Sequence, residues 1–195
     1  MSEVVKAPSE AAREHAVLAA NVAPMERQRE VDLTGKVVII TGASRGVGKQ
    51  ASLDFARRGA HVVLAARTVE ADSKLPGTIG ETLAQIEALG GQAIAVATDL
   101  AKEEDLKALV DAAVQRFGGV DILVNNAAAT TGDIWGKPFS ELTREEWLYQ
   151  FDVNVHAPFT LTQLVVPIME KRGGGRIINV TTGSGEVFQI GRAHV

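Results

Sequence analysis

Apolar and polar positions alternate along the chain between two rhythms. Val37-Val38-Ile39-Ile40 is an unbroken apolar run, and Val62 to Ala66 is another, directly after His61. Such runs read as parallel strands covered on both faces, because a half-exposed strand would show polar residues at every second position. Between and beyond them lie longer stretches of helical period. They predict a helix that follows Gly42 to Gly48 and runs through Arg58, another around Gly80 to Leu89, and a third over Lys102 to Phe117. Gly59, Gly90-Gly91 and Gly118-Gly119 stand just past these helices, where a left-handed residue most easily ends one. Strands are expected at Ala93 to Ala97, Asp121 to Val124 and Arg176 to Val180. Two further helices are expected at Thr143 to Asn154 and Pro158 to Lys171, with Pro167 bending the second mildly.

Strand and helix in strict alternation specify an α/β fold with βαβ units. Right-handed crossovers then give an open, doubly wound parallel sheet of order 3-2-1-4-5, with ligands at the carboxyl ends of strands 1 and 4, where the order reverses. Residues 1–31 read as an appendage or linker, with a short helix from about Ser9 to Asn21 closed by Pro24. The domain is expected over residues 32–189. Residues 190–195 resemble one reading frame of a sequencing adapter and are expected to be a non-native tail.

Composition narrows the picture in three ways. With 20 Lys+Arg against 24 Asp+Glu the net charge is -4, which argues against nucleic acid as a partner. The chain has no Cys and only 4 His, so disulfides, thiolate nucleophiles and a structural metal site are not expected. No stretch approaches the roughly 18 apolar residues of a membrane span. Glu10, Arg13 and Glu14 precede the apolar stretch Ala16 to Met25, where a secretory leader would be basic, so a cytoplasmic setting is expected.

The candidate chemistry begins after the first strand, at Thr41-Gly42-Ala43-Ser44-Arg45-Gly46-Val47-Gly48. Three Gly between a strand and a helix N-terminus let backbone approach a pyrophosphate, and the unpaired N–H groups of the first turn stabilise it together with the helix dipole. A plain βα turn packed tightly by Gly is the alternative. No G-K-[ST] follows, which disfavours a nucleoside-triphosphate loop. About 20 residues on, a cofactor with a free ribose 2'-hydroxyl calls for an acid. The chain has Arg67-Thr68 instead, and Arg45 lies in the loop. Guanidinium groups pair with a 2'-phosphate, so NADP(H) is favoured over NAD(H). Two solvated surface arginines would be the bland alternative.

With Asp99-Leu100, Asn125-Asn126-Ala127-Ala128 and Asn154 added, the chain resembles the short-chain dehydrogenase/reductase family from about Asp32 to Gly183. The resemblance implies a Rossmann-like fold and hydride transfer between NADP(H) and an alcohol or carbonyl substrate. It implies cofactor contacts from Gly42, Ser44, Arg45, Gly46, Val47, Gly48, Arg67 and Thr68. Asp99 and Leu100 would meet the adenine, and Asn126, Ala127 and Ala128 would form a shelf, Ala128 standing where the family has Gly. Asn154 matches a catalytic Asn that holds a water of the proton relay. The complete protein would be a homodimer or homotetramer. Leu75 to Ile79 looks like an insertion after strand 2 shared with a subgroup that includes hydroxysteroid-dehydrogenase-like and terpenoid-alcohol members.

The family's acid is a Tyr in Y-x-x-x-K. The only Tyr is Tyr149, with Val153 four residues later, so that signature is absent. Family spacing puts it about 13 residues beyond Thr182, which stands at the position of the family Ser; Ser184 is the alternative hydroxyl. The chain as written is therefore expected to be inactive and to expose apolar surface beside an edge strand. A non-catalytic dinucleotide-binding module is the competing reading. Trp135 and Phe188 hint at a partly apolar substrate pocket.

Overall fold

The computed structural model describes residues 31–67, 77–129 and 137–181. Their elements belong to a compact unit spanning Asp32–Val195. Strands β1 (Val37–Thr41), β2 (His61–Ala66), β3 (Gln92–Ala97), β4 (Ile122–Asn125) and β5 (Arg176–Asn179) form one sheet of order β3-β2-β1-β4-β5. All its pairings are parallel, from Val37 opposite His61 to Asn125 opposite Asn179. This is the order expected from the sequence.

The helices are α1 (Gly46–Arg57), α2 (Ile79–Ala88), α3 (Glu103–Phe117), α4 (Arg144–Phe151) and α5 (Ala157–Lys171). Successive strand residues point to opposite faces, and the apolar runs are unbroken because each face has its own core. Val37, Ile39, Val63 and Leu123 pack with Leu109 of α3 and with Leu161 and Val165 of α5. Val38, Ile40, Val62 and Leu64 turn the other way, onto Leu53 of α1 and Ile79 and Ile86 of α2.

The amino end of the sheet is fastened by one carboxylate. Asp121, just before β4, accepts the Val37 N–H at 2.9 Å and two bonds from Arg172, from Nε at 3.2 Å and Nη2 at 2.9 Å. Burial alone would raise the Asp121 carboxyl, but the Arg172 and Val37 donors outweigh it and hold the group below its usual value.

The sequence pattern and the structure part company at one place. The two helices expected at Thr143 to Asn154 and from Pro158 are a single continuous helix. A π turn, Asp152–His156, joins α4 to α5, and the Ala157 N–H bonds the Asp152 carbonyl. Pro158 reads locally as a helix start, but it lacks only an N–H, and the α ladder is already interrupted at the π turn. α5 then continues through Pro167. β5 lies at the sheet edge among the described strands, with Ile178 and Val180 close to half exposed. That exposure agrees with the expectation for an edge strand.

Candidate cofactor-binding site

The carboxyl ends of β1 to β4 converge on a cavity of about 400 Å³. Its floor is the loop between β1 and α1. Gly42 and Ala43 donate their N–H groups to the Ala65 carbonyl at 2.8 and 3.2 Å, which ties the loop to β2. Gly48 is forced by close approach, since a Cβ there would lie 2.3 Å from the Gly42 carbonyl oxygen. From below, Thr82 on α2 donates its hydroxyl to the Ala43 carbonyl at 3.0 Å.

Asn126 braces the loop from the other side. Its Nδ2 donates to the carbonyls of Thr41 at 2.9 Å and Gly42 at 3.3 Å. The Thr41 hydroxyl in turn accepts the N–H groups of Asn126 and Ala127 at 3.0 and 3.1 Å. Asn126 is thus part of the cavity wall and also the strut that fixes the Gly-rich loop. Thr41 was not singled out in the sequence, although a hydroxyl opening a Gly-rich loop is the available signal.

What this loop presents to the cavity is an uncapped helix. The N-cap residue of α1, Arg45, makes no side-chain cap, and no acid stands in the first turn. The first-turn N–H groups and the positive end of a 12-residue helix are therefore left for an anion. Ser44, Arg45, Val47 and Gly48 line the cavity, with Gly46 between them at the start of the helix. Gly42, Arg67, Asp99, Leu100, Asn126, Ala127 and Ala128 line it as well, so of the described residues expected at the cofactor site all but Gly46 line one cavity.

Five lining residues went unnoticed as site residues in the sequence: Ala65, Ala66, Thr98, Tyr149 and Val153. Arg67 donates from Nη1 to the Tyr149 hydroxyl at 2.8 Å. Ala66 occupies the end of β2, so among the described residues the strand end beside Arg67 carries no carboxylate. Asp99 turns one oxygen to its own loop, accepting the Ala101 N–H at 3.2 Å.

Asn154 stands in the π turn. Its Oδ1 accepts the N–H of the buried Ala129 at 2.9 Å, and its Nδ2 donates to Gln150 at 3.1 Å. The helix is thereby stitched to the segment that follows β4. Thr68, Thr182, Ser184, Trp135 and Phe188 lie outside the described residues. Among the described residues, no cluster of acidic, His or Cys side chains could hold a metal, and no helix is long and apolar enough to cross a membrane.

Comparison with known proteins decides what this architecture is. A family model described as short chain dehydrogenase matches residues 36–194. The chain belongs to that family. It is 41% identical over 154 residues to the 7α-hydroxysteroid dehydrogenase of Escherichia coli strain K12, an alignment covering 79% of this chain and 56% of the relative. It is 39% identical over 150 residues to hydroxysteroid dehydrogenase-like protein 2 of Xenopus tropicalis, covering 76% of this chain and 35% of that protein. The chain thus spans between a third and a little over half of these relatives. Among solved structures, a 7α-hydroxysteroid dehydrogenase complexed with NADH and 7-oxo glycochenodeoxycholic acid superposes with a TM-score of 0.71 at 39% identity, over 81% of this chain and 57% of the other. A metagenomic short-chain oxidoreductase in complex with NADP gives 0.70 at 33% identity, over 78% and 64%. Both dinucleotides thus occur among structures similar to this one.

Proposed function

We propose that the complete protein is an NADP(H)-dependent oxidoreductase acting on an alcohol or carbonyl substrate, and that this chain is its cofactor-binding portion. One observation carries the choice of cofactor: Arg67 lines the same cavity as Arg45 and the uncapped N-terminus of α1, and the strand end beside it offers Ala66 in place of an acid. The α1 N-terminus would hold the pyrophosphate, Arg67 and Arg45 a 2'-phosphate, and Asp99 with Leu100 the adenine. The bound nicotinamide would supply the hydride chemistry. Asn154, fixed by Ala129 and Gln150, would order a water for proton transfer, with Thr182 or Ser184 donating a hydroxyl to the substrate oxygen.

A second reading is a dinucleotide-binding module without turnover. Its support is the single Tyr, committed to Arg67 and followed four residues later by Val153. A homodimer or homotetramer fits the row of exposed apolar side chains Phe151, Val155 and Phe159 on the long helix. A cytoplasmic setting is part of the proposal.

The test uses the full-length protein. NADPH and NADH are titrated against wild type and Arg67→Asp, and secondary alcohols and ketones, steroids first, are then screened for turnover. Wild type is expected to bind NADPH at least about tenfold more tightly, and Arg67→Asp to reverse that order. Equal affinities in both proteins would overturn the cofactor assignment. Tight binding with no turnover of any substrate would favour the binding module.

A further inference from the structure

Tyr149 belongs to none of the motifs expected to place the cofactor, yet it lines the cavity beside Arg67. It stands on α4, half-buried, 82 residues along the chain from Arg67, and the two side chains meet in the cavity wall at 2.8 Å. Arg67 is the first residue beyond β2 and is exposed. An exposed arginine samples many rotamers, and fixing one costs side-chain entropy. An acceptor on a helix removes part of that cost before any ligand arrives.

The donor inventory of the pair is lopsided. Arg67 commits one N–H to Tyr149 and keeps four of the five that a guanidinium carries. The phenol oxygen accepts that bond, so its own hydrogen remains to be donated elsewhere. Together the two side chains offer a positive charge and a fan of donors. A ribose hydroxyl needs one partner; a phosphate monoester carries three oxygens that accept several.

We infer that Tyr149 is a positioning and specificity-determining residue for a phosphate monoester on the ribose: it holds Arg67 at the cavity wall and donates its own hydroxyl hydrogen to the same phosphate. The inference rests on the reading that the cavity takes NADP(H). It adds a residue from α4 to a subsite otherwise built from β2 and the Gly-rich loop.

The experiment is calorimetric titration of the full-length protein with adenosine 2',5'-bisphosphate and with AMP, which differ only in the 2'-phosphate and involve no turnover. Tyr149→Phe keeps the ring and removes the hydroxyl. It is expected to weaken the bisphosphate about tenfold and leave AMP within about twofold. In an Arg67→Met background the same change is expected to weaken the bisphosphate by less than in wild type and to leave AMP unchanged, because the share that acts through the guanidinium is already gone and only the direct hydroxyl bond is left to lose. If wild type shows no preference for the bisphosphate, the cofactor reading falls and takes this inference with it. If wild type prefers the bisphosphate but Tyr149→Phe leaves it unchanged or tightens it, the inference alone is overturned. Equal weakening of both ligands would also overturn it, by assigning Tyr149 to packing of the cavity wall.

Discussion

Replacing Asp121 separates what a buried carboxylate does as an acceptor from what it does as a charge. Asp121→Ala removes the partner of the Val37 N–H, and Val37 is fully buried. An unsatisfied buried donor costs about 1–3 kcal/mol. The two Arg172 bonds go as well, but that side chain is 31% exposed and water replaces them, so they add only about 0.5–1 kcal/mol. Lys36, at 3.7 Å and 54% exposed, adds nothing measurable. The expected loss is about 2–4 kcal/mol for Asp121→Ala. Asp121→Asn keeps an oxygen for Val37 and is expected to lose about 1 kcal/mol. Urea unfolding of the full-length protein reads the difference as a lower midpoint at unchanged slope. The folded carboxyl titrates below its usual value of 3.8, so its contribution is complete above that value and disappears as the pH falls below it. The gap between wild type and Asp121→Asn is therefore expected to stay constant near neutrality and to close in acid below about pH 4. Equal losses for the two variants, or a gap that widens in acid, would refute the reasoning.

Two further perturbations probe the site and the helix. Gly48→Ala puts a Cβ 2.3 Å from a backbone oxygen of the phosphate loop, which is expected to cost about 1–3 kcal/mol in stability and to abolish measurable binding of both NADPH and NADH; thermal unfolding beside titration checks the pair of effects. Phe159→Glu, at a residue 61% exposed on α5, is expected to leave the fold intact and shift the full-length protein to a smaller species in light scattering.

Much of this was readable in the chain because the controlling interactions are local or repetitive. β1 announces itself because both of its faces are covered, so no polar residue interrupts Val37 to Ile40. The sheet order follows from the handedness of each crossover, which every βα unit repeats. The Gly-rich loop was legible for a different reason: Gly48 answers to a contact within the loop itself. Three things were hidden. Asn126 looked like a shelf for the cofactor, and its work as a strut depends on Thr41 and Gly42, more than eighty residues away. The pairing of Arg67 with Tyr149 spans 82 residues and joins a strand end to a helix, with no spacing rule to reveal it. The π turn has no sequence signature, and Pro158 reads equally well as the start of a separate helix.

That turn acts as a gear between two halves of one rod. Tyr149, Val153, Ala157, Leu161, Val165 and Met169 recur every four residues, and the last five of them are buried. Four residues of α-helix overshoot a full revolution by about 40°, so the stripe would wind by about 200° from Tyr149 to Met169 and end on the far side of the rod. One extra residue in the π turn takes back about 100° of that winding. What remains fits the breadth of an ordinary apolar face, about 100°. Val153 can then look into the cavity at the carboxyl ends of the strands while Leu161 and Val165 look into the core, and losing any single residue from Asp152–His156 would throw one end out of mesh with the other.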